Sequence, residues 1–177
     1  MMKGELMRIT AFLVAITVLL GSQFGHAAQL DLAQGTQSVS GSLSLTINPV
    51  ENYHRLLLSP SYSYFATENV EVALGLKYQT DIGVETTSYL GANLGIFGYL
   101  DLGSLMFKSG ASVGFVSYMG SGDSPTVIEL TVPISLVVPL SNAVALYCGT
   151  NLEIQFRPGG GANVLIPVGL LGFQAFF

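Results

Sequence analysis

Charge is what this sequence has least of: Lys, Arg, Asp and Glu together make up 10% of its 177 residues, well under the usual quarter. Beyond residue 27 only four basic residues remain, Arg55, Lys77, Lys108 and Arg157, against ten acidic ones, a net charge near −6. That balance argues against nucleic acid as a partner. Tryptophan is absent, and Cys148 is the one cysteine, so no intrachain disulfide can form; the thiol reads as a small apolar side chain on a strand. No group of His, Cys and carboxylates has metal-ligand spacing. Gly159, Gly160 and Gly161 are followed by Ala162 and Asn163 rather than by Lys-Ser or Lys-Thr, so they form a loop and not a phosphate cradle. No metal or other cofactor is expected. No long helical period appears after residue 30, and with 21 glycines the chain does not read as a helical bundle.

What is present is apolar and alternating. Half of the residues are hydrophobic, which sets disorder aside. At the N-terminus, Lys3 and Arg8 precede an apolar run from Ala11 to Leu20 and a small-residue site at Gly25-His26-Ala27. This reads as a secretory signal peptide over residues 1–27, cleaved after Ala27 and too short to span a membrane as a helix. A short polar segment, residues 28–34, is expected to lie in the periplasm ahead of the first strand.

From Thr126 to Leu140 every second residue beginning at Ile128 is apolar: Ile128, Leu130, Val132, Ile134, Leu136, Val138 and Leu140. Period-two alternation is the mark of a strand whose faces meet different surroundings. The same pattern recurs over Gln37–Ile47, His54–Phe65, Val70–Gln79, Ser88–Leu100, Leu105–Met119, Val144–Phe156 and Val164–Phe177. That makes eight strands, joined alternately by tight turns near Asn69, Gly103 and Asn142 and by longer loops at 48–53, 80–87, 120–125 and 157–163. The face opposite the apolar one is rich in Gly, Ser and Thr. A soluble β-sandwich or lipocalin-like barrel would carry more Lys and Glu on its wet face, so the apolar face is assigned to lipid. Eight strands of about ten residues or more suit a transmembrane barrel, apolar outside and polar inside. Tyr62, Tyr64, Tyr78, Phe156, Phe173 and Phe177 stand where an interfacial girdle belongs.

By parity Arg55, Glu71, Lys77, Lys108, Glu129 and Glu153 face inward, three basic and three acidic. Glu71 and Lys108 would form a cluster near the turn end, and Arg55, Lys77, Glu129 and Glu153 one near the loop end, since buried charges need partners. An eight-stranded interior is just wide enough for side chains to fill it. Glu51, Asp81, Glu85 and Asp123 read as ordinary solvated loop acids. Pro60, Pro133 and Pro167 fall inside strands although a closed barrel has no harmless edge, so bulges or broken ladder bonds are expected at each.

The stretch Ser59-Pro60-Ser61-Tyr62-Ser63-Tyr64-Phe65-Ala66-Thr67-Glu68-Asn69-Val70 and the last strand ending in Phe177 resemble the small eight-stranded outer-membrane barrels of Gram-negative bacteria, of the outer membrane protein A and X type. The resemblance covers the whole expected mature chain, residues 28–177, with the barrel over 35–177. It implies an antiparallel up-and-down barrel, tight turns in the periplasm, loops outside, and a structural or surface-interaction role. Leu171, Phe173 and Phe177 match the C-terminal signal that the family's barrel assembly machinery reads; Gly169 and Ala175 depart from it. The implied partners are outer-membrane lipid and lipopolysaccharide, with the assembly machinery and periplasmic chaperones during biogenesis, and the protein would be a monomer. Some small barrels are lipid-modifying enzymes that use a His with a Ser and an acid. Here His54 is followed by Arg55 and Leu56, no His-x-Ser spacing exists, and no enzymatic activity is expected. A narrow pore for small solutes or ions is the alternative to a filled lumen.

Overall fold

The structure, a computed structural model, describes residues 30, 32–48, 53–82, 86–119, 126–157, 159–166 and 169–177. The expected signal peptide and its cleavage site lie outside the described residues, as do Glu51, Glu85, Asp123 and Pro167. Nine strands are described: β1 (Gln37–Asn48), β2 (Tyr53–Thr67), β3 (Val70–Ile82), β4 (Thr87–Asp101), β5 (Met106–Tyr118), β6 (Thr126–Pro139), β7 (Val144–Phe156), β8 (Ala162–Leu165) and β9 (Leu170–Phe176). Each of β1 to β7 pairs antiparallel with the next, β9 joins β7 to β1, and the sheet closes on itself. β8 pairs with the loop end of β7. β8 and β9 together are the eighth stave, so the expected strand over Val164–Phe177 is interrupted: pairs on β7 shift by one residue between Glu153↔Leu165 and Gly149↔Leu170.

The alternation read from the sequence is the alternation of exposure. On β3 it is almost unbroken, with Leu74 61% exposed on one face and Glu71 fully buried on the other. Around the barrel Leu, Ile, Val and Phe point out while Ser, Gln, Glu and Lys point in. Water would reverse that arrangement; lipid outside and a polar lumen satisfy it.

Local chemistry fixes the turn end. Thr67 Oγ1 accepts from the Asn69 amide at 3.3 Å, Asp101 Oδ1 from the Gly103 amide at 2.7 Å, and Ser141 Oγ from the Ala143 amide at 3.2 Å. Gly103 takes φ 92°, a conformation that costs glycine little. The β2–β3 register slips once, between Phe65 and Thr67 beside the first turn.

Pro60 and Pro133 break ladders without making bulges. β2–β3 pairing runs to Leu58↔Tyr78 and resumes at Ser61↔Gly75 in the same register. β5–β6 pairing likewise stops at Ser109↔Ile134 and resumes at Ser112↔Thr131. Each proline keeps its pair on the other side, Gly41↔Pro60 and Pro133↔Asn151, and the Ser109 hydroxyl donates to the freed Pro133 carbonyl at 2.9 Å.

The segment ahead of β1 is not simply polar. Leu30 and Leu32 are buried and belong to one apolar cluster with Phe65, Tyr99, Val137, Ala145, Tyr147, Leu170 and Phe176. The Gly35 amide donates to the Phe65 carbonyl and the Phe65 amide to the Thr36 carbonyl, both at 2.9 Å. The segment is thereby tied across the turn end of the lumen.

Candidate functional site in the lumen

Two polar clusters occupy the barrel interior. In the one nearer the turns, Lys108 Nζ lies 2.6 Å from Glu71 Oε2, and the same oxygen accepts from the Tyr99 hydroxyl at 2.6 Å. The other carboxylate oxygen accepts from Gln174 Nε2 at 2.9 Å, and Gln174 also donates to Ser38 Oγ at 2.7 Å. The ammonium sits 5.0 Å from the Phe97 ring centroid and 5.1 Å from that of Tyr99, within cation–π range. Five strands thus converge on one buried carboxylate, with β1, β3, β4, β5 and β9 each supplying a side chain. Below it, Phe65 stacks at tilted angles on Tyr99 and Phe176, with centroids 5.4 and 6.0 Å apart.

In the second cluster Lys77 pairs with Glu129 and lies 3.7 Å from Glu153 Oε1. Thr131 Oγ1 and Gln155 Nε2 each donate to Glu129 at 3.0 Å. Arg55 pairs with Asp81, Nε to Oδ1 at 3.0 Å and Nη2 to Oδ2 at 3.4 Å, and Gln79 Nε2 also donates to Asp81 at 3.0 Å. Asp81 is therefore no loop acid. β3 runs on to Ile82, three residues past the expected end, and carries Asp81 into the lumen by the same parity as Lys77. The inward charges among the described residues become Glu71, Asp81, Glu129 and Glu153 against Arg55, Lys77 and Lys108, one acid more than the even balance the sequence suggested. Glu153 is buried, and its Oε1 has no hydrogen-bond partner among the described residues.

The lumen is largely filled. Glycines on the inner face make room for large neighbours: a Cβ on Gly172 would stand 2.2 Å from Tyr147 Cζ, so the tyrosine ring lies over that glycine. A residual cavity of about 110 Å³ lies beside the clusters, bordered by Ser61, Lys77, Asn93, Ser112, Glu129 and Asn151.

The remaining residues singled out from the sequence stand apart from the lumen. Leu171, Phe173 and Phe177 are exposed on the outer face, with Leu171 opposite Leu43 and Phe173 opposite Gly41. Tyr62, Tyr64, Tyr78 and Phe156 are exposed there too. Cys148 is half-buried, level with Leu136 and Leu171. His54 lies in β2 opposite Ile47 and Ile82, and no group of three or more His, Cys, Asp or Glu suited to a metal is found among the described residues. Parity could have found Gln174 and Tyr99, which occupy inward positions, but nothing local marks them as partners of Glu71.

The sequence matches no protein-family model and none of the curated proteins. Solved structures do match. The N-terminal β-barrel domain of Pseudomonas aeruginosa OprF aligns with 81% of this chain and 98% of its own at 13% identity, TM-score 0.51. Neisserial surface protein A aligns with 82% of this chain and 98% of its own at 13% identity, TM-score 0.56. With its closed sheet and its reversed exposure, the chain has the fold of the small eight-stranded outer-membrane β-barrels.

Proposed function

We propose that the protein is an integral outer-membrane barrel without enzymatic activity, whose role is structural or one of surface interaction and whose lumen does not conduct. The observation that carries this reading is the filling of the lumen by two ion-pair clusters above an apolar seal that includes Leu30 and Leu32. The likeness to the barrels of two bacterial proteins supports the location. Lipid and lipopolysaccharide are its surroundings on this reading. Leu171, Phe173 and Phe177 serve delivery to the barrel assembly machinery with the help of periplasmic chaperones, and the barrel is a monomer.

Gel mobility with and without heating tests the barrel, and efflux of a small solute from vesicles containing the protein tests the closed lumen. The proposal expects a faster-migrating unheated band and efflux no greater than that of protein-free vesicles. No mobility shift counts against the barrel; rapid efflux from correctly folded protein counts for a narrow pore instead.

A further inference from the structure

Among the described residues the lumen holds four carboxylates, Glu71, Asp81, Glu129 and Glu153, and three cations, Arg55, Lys77 and Lys108. Four against three leaves one negative charge over when all are ionised. Hydrocarbon surrounds the barrel wall, and a buried charge without a partner is strongly destabilising there. Lys108 lies 2.6 Å from Glu71 and Arg55 3.0 Å from Asp81, whereas Lys77 is shared: it bonds Glu129 and only approaches Glu153 Oε1, at 3.7 Å. Glu129 also accepts from Thr131 and Gln155. Glu153 is 1% exposed, and its Oε1 has no hydrogen-bond partner among the described residues.

Space and further oxygen atoms lie beside this carboxylate. Glu129, Thr131, Asn151 and Glu153 all border the lumen cavity of about 110 Å³. A water molecule needs about 10–15 Å³ of such volume, so the cavity has room for an ion that keeps part of its hydration shell. Thr131 is the register partner of Glu153 and donates its hydroxyl hydrogen to Glu129, which leaves its oxygen free to accept. Asn151 stands two residues from Glu153 on the same inner face of β7 and is buried too. Carboxylate, hydroxyl and amide oxygens are ligands for hard cations. A single charge left over selects a monovalent ion, because a divalent one would overshoot, and no group of three or more acids suited to a metal is found among the described residues.

We propose that the lumen cavity binds one small alkali-metal cation at Glu153 Oε1, with oxygen atoms of Thr131 and Asn151 and cavity water completing its shell. The ion lets Glu129 and Glu153 stay ionised beside a shared lysine, and so acts as a structural part of the barrel. Spacing along the chain could not show such a site, since Thr131 and Glu153 meet only across the β6–β7 register. The proposal does not depend on whether the lumen conducts.

The test is equilibrium urea unfolding in vesicles of phosphatidylcholine at fixed pH and ionic strength, with sodium or potassium chloride replaced stepwise by N-methyl-D-glucamine chloride, whose cation is too large for the cavity. The folded-to-unfolded ratio is expected to follow a single-site curve and to rise about tenfold once the ion is at about ten times its dissociation constant. Glu153→Gln, which removes the charge left over, is expected to abolish this dependence, while Glu68→Gln on the exposed first turn keeps it. If Glu153→Gln does not fold, the wild-type protein decides: thallium(I) diffused into its crystals should give an anomalous scattering peak beside Glu153. The proposal is overturned by equal stability in all three salts, by a dependence that survives in Glu153→Gln, or by no thallium peak at the cavity. Stability that varies with pH but not with the cation overturns it as well, and assigns a proton to the place of the ion.

Discussion

Glu71 has no exposed surface, and its position is set by Lys108, Tyr99 and Gln174 together. Removing Lys108 leaves that carboxylate without its counter-charge in a place water does not reach. Lys108→Met is expected to cost about 3–5 kcal/mol of stability, read from urea unfolding in vesicles. The double variant Lys108→Met with Glu71→Gln is expected to recover most of the loss, because both members of the buried pair are then neutral. An additive double variant would mean the two charges do not depend on one another. Gly172 makes a steric rather than an electrostatic case: Gly172→Val drives a side chain into the Tyr147 ring and is expected to cost about 1–3 kcal/mol by the same measurement. At this scale the inward parity of six charged residues was legible, whereas the pairing of Arg55 with Asp81 was not. Arg55 and Asp81 are adjacent only because β2 and β3 bring them into one register pair, and Asp81 resembled a loop acid because the apolar alternation fades after Tyr78.

At the scale of the strand, the turns and alternation that define β7 were readable to the residue, since every second residue from Val144 to Phe156 except Thr150 is apolar. The prolines show what alternation leaves out. Pro133 lies in a strand whose apolar period on the other face is unbroken, yet the β5–β6 ladder fails beside it. The Leu140 amide donates to the Val144 carbonyl, so even-numbered β6 residues face β7 and the Pro133 nitrogen faces β5. Pro133→Ala supplies the missing donor on that side and is expected to gain about 0.5–1.5 kcal/mol, with slower amide exchange at Gly110, which the register sets opposite it. Unchanged exchange there would show that the gap has another cause. The anchoring of the N-terminal segment is hidden for a related reason: two leucines spaced by one polar residue do not announce a partner, and theirs are Phe65 and the neighbouring apolar side chains, far away in sequence. Replacing both Leu30 and Leu32 by Asp is expected to untie the turn end and to speed exchange at Gly35 and Phe65, whose amides make the bonds that hold it.

For the whole molecule, the reversal of inside and outside is the governing fact. Leu94, Ile96 and Leu74 are among the most exposed side chains, which only a hydrocarbon surrounding makes favourable. Leu94→Arg is expected to destabilise the barrel in a bilayer by about 2–4 kcal/mol if it lies near the midplane, read from folding in vesicles. The barrel as a whole was legible because strand count, parity and turn spacing are all local signals. The filling of its interior was less so, because it depends on contacts such as Lys77 with Glu129 and Glu71 with Gln174 that join residues far apart along the chain. The proposal that these contacts, with the leucine seal, close the lumen is tested most directly by planar-bilayer recording of the folded protein. No unitary current steps are expected from the wild type. Stable steps whose size changes in Glu129→Gln would contradict the closed lumen and assign the charge clusters to an ion path.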